Sequence, residues 1–211
     1  MVNRKLTEQE KFWAGEFGND YIDRNIEEGI VASNSAMFAK ILARTSGIKS
    51  CVEFGANIGL NLRAIKRLIP GVDCSGVELN EAAAKLLQDE IGIKNVFTSS
   101  IFDVELQRKY DFSLIKGVLI HLNPELLNLA YDQLYKSSSR YILICEYYNP
   151  SPVTISYRGH EDRLFKRDFA GEFMKQFPDT HLIDYGFVYH ADPIFPLDDV
   201  TWFLMEKGSH D

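Results

Sequence analysis

Short apolar runs alternate with helical segments through the middle of the chain, and this alternation limits the possible folds more than any other feature. Parallel neighbouring strands need a crossover of a dozen or more residues, usually a helix. The alternation therefore predicts a mostly parallel, doubly wound sheet with helices on both faces. The five predicted strands are SCVEF (50–54), DCSGVEL (73–79), KNVFTSS (94–100), YDFSLIKGVLI (110–120) and RYILICEYY (140–148).

The pattern changes near the end of the sequence. Two further apolar runs, HLIDYGFVYH (181–190) and DVTWFLMEK (199–207), are joined by a short loop that contains proline and has no helical spacing. Such a connection is too short for a parallel crossover, so the two strands should pair antiparallel. The sequence thus predicts a parallel sheet closed by one antiparallel strand near its edge.

Composition limits the classes of function. The 211 residues are 45% apolar, which is enough for one core, and we expect an N-terminal extension (1–35) before one domain (36–211). The net charge of −7 opposes a nucleic-acid surface, which needs clustered lysine and arginine. The three cysteines lack metal-ligand spacing, so we predict no metal site. Neither a signal peptide nor an apolar run of about 20 residues occurs, so we expect a cytosolic protein that binds no membrane.

A glycine turn follows the first predicted strand in CVEFGANIGLNL (51–62). Gly55 and Gly59 permit a tight turn and a close approach of backbone to ligand, and Asn57 tolerates a left-handed backbone. A dinucleotide site would place a pyrophosphate at the next helix and would avoid a carboxylate there. Glu53 instead suits a cation, and S-adenosylmethionine carries both an ammonium and a sulfonium. The turn therefore predicts a methyl-donor site rather than a nicotinamide site.

Two further acids follow the next strands. Glu78 lies 25 residues after Glu53, near the interval of about 20 residues expected for an acid that accepts from ribose hydroxyls. Asp103 follows the third strand and is predicted to accept from the adenine amino group, with Phe102 or Ile101 against the ring. The predicted cofactor-binding residues also include three that adjoin strand ends: Leu79, Lys116 and Gly117. Alternatively, Glu53 caps a helix and Glu78 is a solvated residue.

The chain resembles the class I S-adenosylmethionine-dependent methyltransferases, and in particular small methylases associated with pseudaminic acid biosynthesis. The resemblance covers nearly the whole chain and rests on FWAGEFGNDYIDRN, VEFGANIGLNL, GVELN, GVLIHLNPE and EYYNPSPVTISYRGHEDRLFKRDFAGE. It implies a Rossmann-like α/β fold with a seven-stranded sheet whose last strand is antiparallel. It also implies an N-terminal helix that lies over the cofactor as a lid, with Trp13, Tyr21, Arg24 and Asn25 as binding residues. The alternative is that this helix only packs on the sheet.

Two regions are predicted to carry the chemistry. His121 lies just past the fourth strand. Histidine as a residue type ordinarily titrates near neutrality, so His121 is either a general base or a structural histidine. A basic, tyrosine-rich stretch after the fifth strand is predicted to bind an anionic acceptor. The alternative for EDRLFKRDFAGEFM is a solvated helix. The predicted acceptor-binding residues are Tyr147, Tyr148, Tyr157, Arg158, His160, Arg163, Lys166 and Arg167.

These features together predict a methyltransferase that acts on oxygen or nitrogen of a small, acidic, carbohydrate-derived or nucleotide-linked metabolite. S-adenosylmethionine would be the cofactor and S-adenosylhomocysteine the product, in a monomer or homodimer. Three alternatives remain open: an RNA or protein methyltransferase, a non-catalytic cofactor-binding subunit, and a nicotinamide dehydrogenase, which Glu53 opposes.

Overall fold

The computed structural model describes residues 4–23, 28–157 and 159–208, with the backbone alone described at 23, 28 and 160–163. Within those residues the chain forms seven α-helices and nine strands. The helices are α1 (Glu8–Ala14), α2 (Glu16–Asp23), α3 (Glu28–Leu42), α4 (Leu60–Leu68), α5 (Glu81–Ile91), α6 (Leu127–Ser137) and α7 (Phe169–Gln176). The strands are β1 (Ser50–Phe54), β2 (Asp73–Glu78), β3 (Val96–Thr98), β4 (Tyr110–Lys116), β5 (Ser138–Glu146), β6 (Val153–Tyr157), β7 (His160–Lys166), β8 (Thr180–Val188) and β9 (Val200–Lys207).

Seven strands form the main sheet, in the order β3-β2-β1-β4-β5-β9-β8. The pairings from β3 to β5 are all parallel, and β9 lies antiparallel between β5 and β8. The predicted mostly parallel sheet and its antiparallel strand are therefore confirmed. The strand order reverses between β1 and β4, and ligands of open α/β sheets bind at such a reversal, beyond the carboxyl ends of the strands.

The core forms one layer on each face of the sheet. One layer joins α3, α4 and α5 to the sheet through residues such as Phe38, Leu62 and Leu87, all with no exposed surface. The other layer joins α6 and α7 through residues such as Leu134 and Phe173, which are equally buried. Because both faces are covered, the central strands are apolar without alternation, as the sequence shows.

Local signals in the sequence set the ends of several elements. The Asn80 side chain accepts a hydrogen bond from the Ala83 N–H at the start of α5, and Gly92 ends that helix with φ 85°. Gly117, with φ 68°, ends β4 earlier than predicted, because the chain turns there. The predicted strand 110–120 therefore stops at Lys116, and short 3-10 helices follow at Leu119–His121 and Pro124–Leu126.

The stretch after β5 differs from the sequence prediction. Strands β6 and β7 form an antiparallel hairpin outside the main sheet. The alternative of one solvated helix over EDRLFKRDFAGEFM is therefore wrong, since the helix begins only at Phe169. Asp168 caps that helix by accepting from the Gly171 N–H. Strand β7 packs against the 3-10 helix that ends at His121, so the hairpin covers the carboxyl edge of the sheet.

Helices α1 and α2 lie at the same edge. A capping box formed by Thr7 and Glu10 starts α1. The side-chain amide of Asn80 donates to the Trp13 carbonyl oxygen at 3.3 Å and to the Asn19 side-chain oxygen at 2.8 Å, which ties both helices to the start of α5. No helix in the described ranges is long and apolar enough to cross a membrane.

Candidate functional site

A cavity of about 230 Å³ opens at the carboxyl edge of the sheet, where the strand order reverses. Its wall combines the loops after β1, β2, β3 and β4 with residues of α1, α2, α3, the β6–β7 hairpin and the β8–β9 loop. The predicted site residues that line it are Trp13, Tyr21, Gly55, Asn57, Glu78, Leu79, Lys116, Gly117, His121, Tyr147 and Tyr157. The structure thus brings together residues from the whole length of the chain.

The glycine turn forms one wall of the cavity. Gly55 and Asn57 have φ values of 72° and 48°, and the N–H groups of Gly55 and Ala56 donate to the Val77 carbonyl oxygen. A Cβ at Gly55 would collide with the side chain of Val118, so the turn requires glycine there. Gly59, with φ 87°, precedes α4 and does not line the cavity.

Glu78 is held rigidly at the end of β2. One carboxylate oxygen accepts from the Asn57 N–H at 2.7 Å, and the other accepts from the Asn80 N–H at 2.8 Å. Burial raises the pKa of Glu78, although these backbone N–H groups oppose the rise. Since each carboxylate oxygen has more than one lone pair, the group can still accept two hydroxyl donors from a ligand in the cavity.

Glu53 lies behind the cavity wall rather than in it. Its side chain has no exposed surface, and one oxygen accepts from the Asn61 amide at 2.6 Å. Asn61, in the first turn of α4, lines the cavity in its place. Burial raises the pKa of Glu53 to about 8, against the opposing effects of the Asn61 hydrogen bond and the Lys116 charge.

A second buried acid, Glu146, supports the loop after β4. One of its oxygens accepts from the N–H groups of Val118 and Leu119, each at 2.9 Å. Burial raises the pKa of Glu146 to about 7, against these backbone hydrogen bonds. The loop that Glu146 holds carries His121, which is buried and lines the cavity. Sequence reasoning missed this acid, although its position at the end of the fifth strand was a signal.

Aromatic side chains cover the cavity from two directions. The ring of Trp13 lies 4.7 Å from that of His121 and 5.3 Å from that of Tyr21. From the hairpin, Tyr157 lies 4.9 Å from His121 and 6.1 Å from Phe17. The first two helices and the hairpin therefore meet above His121.

Phe102 and Asp103, which follow β3 and were predicted to contact adenine, do not line the cavity. Asp103 pairs with Arg4 at 2.8 Å, and the Arg4 guanidinium lies over the Phe102 ring. Neither Phe102 nor Asp103 lines the cavity, whereas Ser99, Ser100 and Ile101 do. The competing partner of Asp103 is 99 residues away in the chain, so no local sequence pattern indicates it.

The predicted acceptor-binding residues after β5 do not all lie at the main cavity. Lys166 lies over the Tyr147 ring at 4.8 Å and Arg167 pairs with Glu172, and both basic residues line a separate cavity of about 220 Å³ beside the hairpin. Tyr148 is exposed and contacts Phe203, away from the main cavity. The predictions for Arg24, Asn25 and Arg158, and for the side chains of His160 and Arg163, lie outside what the structure describes.

Several cavity residues were missed from the sequence. Asp198 lies in the loop after β8, whose carboxyl end is at the cavity edge because β8 runs parallel to β5. Asn34 of α3 is almost fully buried, and its side-chain oxygen has no partner among the described residues. Asn61 follows Gly59 by two residues, which was a usable signal. The other missed lining residues include Gln9, Glu10, Asn80, Val118 and Val200.

No protein-family model and no curated protein matches the sequence. Solved structures do match across almost the whole chain. A 1,6-didemethyltoxoflavin N1-methyltransferase from Burkholderia thailandensis, with S-adenosylhomocysteine bound, has a TM-score of 0.71 at 14% identity, over 99% of this chain and 94% of that one. A magnesium protoporphyrin IX methyltransferase from Synechocystis, with S-adenosylmethionine bound, has a TM-score of 0.66 at 13% identity, over 98% and 100%.

A sugar N-methyltransferase from a Streptoalloteichus species is also similar, with a TM-score of 0.65 at 12% identity, over 99% of this chain and 97% of that one. At such identities the likeness establishes the fold. The chain therefore has the Rossmann-like fold of the class I S-adenosylmethionine-dependent methyltransferases. The resemblance to methylases of pseudaminic acid biosynthesis stays a prediction.

Proposed function

We propose that the protein is a methyltransferase that binds S-adenosylmethionine in the main cavity and methylates oxygen or nitrogen of a small molecule. The observation that carries this proposal is Glu78, whose two oxygens are fixed by backbone N–H groups and face the cavity from the end of β2. That geometry suits the two hydroxyls of an adenosine ribose. Solved structures of the same fold, with S-adenosylmethionine or S-adenosylhomocysteine bound, support it.

The charges near the cavity favour a cation over a pyrophosphate. Glu53, Glu78 and Glu146 all have a pKa above its usual range, because burial disfavours their charged forms. A positive charge placed nearby would stabilise all three carboxylates. Trp13 and Asn61 both line the cavity, and each has a buried polar atom with no hydrogen-bond partner among the residues that the structure describes, which also fits a polar ligand. Glu78 and the glycine turn would hold the adenosine and amino-acid parts.

We also propose an anionic acceptor, carbohydrate-derived or nucleotide-linked. Its reactive group would enter the main cavity beside His121, Tyr147 and Tyr157. Its charged group would lie in the smaller cavity at Lys166 and Arg167, since Tyr147 lines the first cavity and contacts Lys166 of the second. The sugar N-methyltransferase of the same fold is consistent with a carbohydrate acceptor.

The bound cofactor supplies an electrophilic methyl group, so the protein has to align the acceptor, exclude water and remove a proton. Trp13 and Tyr157, which meet His121 from opposite covering elements, would exclude water. His121 would take the proton from the acceptor hydroxyl or amine while the oxygen or nitrogen of that acceptor group is methylated. In the alternative role, His121 only supports the wall, and alignment supplies most of the acceleration.

Calorimetry with S-adenosylmethionine and with NAD tests the cofactor. We expect binding of the first alone, and a loss of roughly 1.5–3 kcal/mol in Glu78→Ala, since that is the usual contribution of a hydrogen bond to a charged group. Glu125→Ala, at an exposed acid of the 3-10 helix Pro124–Leu126, is the matched control. Binding of NAD alone would contradict the proposal.

Turnover assays with acidic sugars, nucleotide sugars and uncharged amino sugars then test the acceptor. Methylation of the uncharged compounds alone would reject the anionic acceptor. Turnover of RNA or protein would favour that alternative class, and cofactor binding without any turnover would favour a non-catalytic subunit.

A further inference from the structure

The carboxyl group of Glu53 is buried, and only one of its two oxygens has a hydrogen-bond partner among the described residues. It is fully buried on β1, the central strand of the parallel half of the sheet, between β2 and β4. One oxygen accepts from the Asn61 amide, but the other has no hydrogen-bond partner among the described residues. A buried carboxylate without full hydrogen bonding is strongly disfavoured. The enclosure by itself therefore favours a neutral Glu53.

The Asn61 side chain also has one polar atom that lacks a hydrogen-bond partner among the described residues. Its amide nitrogen donates to Glu53, whereas its own carbonyl oxygen is buried and has no donor in the part of the chain that the structure describes. A protonated carboxyl group gains one O–H donor and keeps acceptor capacity. A protonated Glu53 could therefore donate its O–H to the Asn61 oxygen while it accepts from the Asn61 amide nitrogen, so that each group both donates and accepts.

The charged groups around Glu53 also affect its pKa. Lys116, at the end of β4, lowers the pKa of Glu53, whereas Glu78, at the end of β2, raises it. The buried thiols of Cys51 and Cys145 interact with it electrostatically as well. Of these groups, Lys116 and Glu78 line the cavity, so a cation bound there would act on Glu53 from the same side as Lys116.

We infer that Glu53 and Asn61 form a protonated acid–amide pair in the ligand-free protein, and that binding of a cationic ligand in the cavity expels the proton. The carboxyl O–H bond breaks, the electron pair stays on the Glu53 oxygen, and the proton leaves to solvent. Asn61 is then a positioning residue that lies between the buried charge and the cavity. This inference rests on the proposed cofactor site and adds a proton to its binding equilibrium.

Proton release distinguishes this pair from a purely structural contact. Calorimetry at pH 6.5 in buffers of different ionisation enthalpy reports the protons exchanged on binding. S-adenosylmethionine carries an ammonium and a sulfonium, S-adenosylhomocysteine only the ammonium, and methylthioadenosine neither. We expect up to about one proton released with the first two ligands, since each brings a cation to a buried acid, and none with the third.

Glu53→Gln is the decisive variant, because glutamine reproduces the neutral pair but cannot ionise. We expect it to fold, to release clearly fewer protons than the wild type, since any release that remains comes from Glu78 and Glu146, and to bind S-adenosylmethionine about ten- to a hundredfold more weakly because a charged partner is lost. Its affinity for methylthioadenosine should stay within about twofold. Glu125→Gln, an exposed acid-to-amide change, should behave as the wild type in every assay.

Asn61→Leu provides a second, independent variant of similar size. It removes the Asn61 donor and acceptor while leaving the Glu53 acid, so we expect a lower unfolding midpoint and a changed proton release with S-adenosylhomocysteine. Unchanged proton release in Glu53→Gln or in Asn61→Leu would overturn the inference. Failure of the wild type to bind either S-adenosyl ligand would instead overturn the proposed function.

Discussion

At the scale of single residues, Glu146 shows how a buried acid can support a functional loop. Its carboxyl group accepts from the backbone N–H groups of Val118 and Leu119. Removing the acceptor leaves these N–H groups buried without a partner, and each such group costs about 1–3 kcal/mol. We therefore expect Glu146→Leu to lower the free energy of unfolding by roughly 2 kcal/mol or more in urea denaturation at pH 7.

The conservative variant Glu146→Gln separates hydrogen bonding from charge, since its amide oxygen can still accept both bonds. The folded pKa of Glu146, about 7, lies above its unfolded value. The proton-linked part of its contribution is therefore complete below about pH 4.5 and is lost as the pH rises through about 7, whereas the hydrogen bonds from Val118 and Leu119 remain. We expect Glu146→Gln to lose this part of the pH dependence. A glutamine variant as unstable as the leucine variant at pH 7 would contradict the hydrogen-bond explanation.

Individual site residues were predictable where one short pattern determines position. The strand–glycine–helix pattern placed Gly55 and Asn57 at one edge of the sheet, the interval after Glu53 placed Glu78 there, and all three line the cavity. The same pattern could not show that Glu53 lies behind Asn61, because side-chain direction at the end of a strand depends on packing. Nor could it show the pairing of Asp103 with Arg4, since that contact depends on how the N-terminus folds back.

At the scale of elements, one ion-pair cluster joins the N-terminal helix α1 to the loop after β3. Arg4 pairs with the nearly buried carboxylate of Glu10 at 2.6 Å and with Asp103 at 2.8 Å. Burial alone would raise the pKa of Glu10, but hydrogen bonds from Arg4, Ser100 and Thr7 outweigh it and hold the pKa at about 2. Helix α1, which carries Trp13, is thereby attached to the loop after β3.

Arg4→Met should loosen α1 without unfolding the sheet. We expect amide hydrogen exchange in α1 to quicken by roughly tenfold or more, since a hydrogen bond to a charged group contributes about 1.5–3 kcal/mol. Exchange in β4 and β5 should not change. Lys11→Met is the matched control, because it removes an exposed ion pair with Glu8 on the same helix. Equal effects of the two variants would show that the Arg4 cluster does not hold the helix.

The elements of the main sheet were more predictable than the elements that cover its edge. Strands such as β1 and β4 are mostly apolar and are buried along most of their length, so the sequence pattern reveals them directly. Strand β6 is exposed along most of its length, and its partner β7 carries several charges, so neither has the apolar pattern of a core strand. The hairpin is stabilised by pairing and by its contact with the His121 segment, which are properties of the fold.

At the scale of the whole molecule, one cavity connects distant parts of the chain. Trp13 from the N-terminal region, Glu78 from β2, Tyr157 from the hairpin and Asp198 from the last loop all line it. A ligand that fills the cavity would contact all of these elements together, and unfolding any one of them would cost binding energy. Ligand binding should therefore stabilise the protein as one cooperative unit.

S-adenosylhomocysteine at a hundredfold excess over its dissociation constant should add about 2.7 kcal/mol to the free energy of unfolding, by mass action on the folded state. The urea midpoint should rise while the slope of the transition stays constant, since the surface exposed on unfolding is unchanged. Glu78→Ala at the same ligand concentration should show a smaller rise, because its dissociation constant is larger. NAD at that concentration should leave the wild-type midpoint unchanged. A rise with NAD equal to that with S-adenosylhomocysteine would mean that the cavity recognises only the adenosine that both molecules carry, and that the acids near the glycine turn do not select a cation.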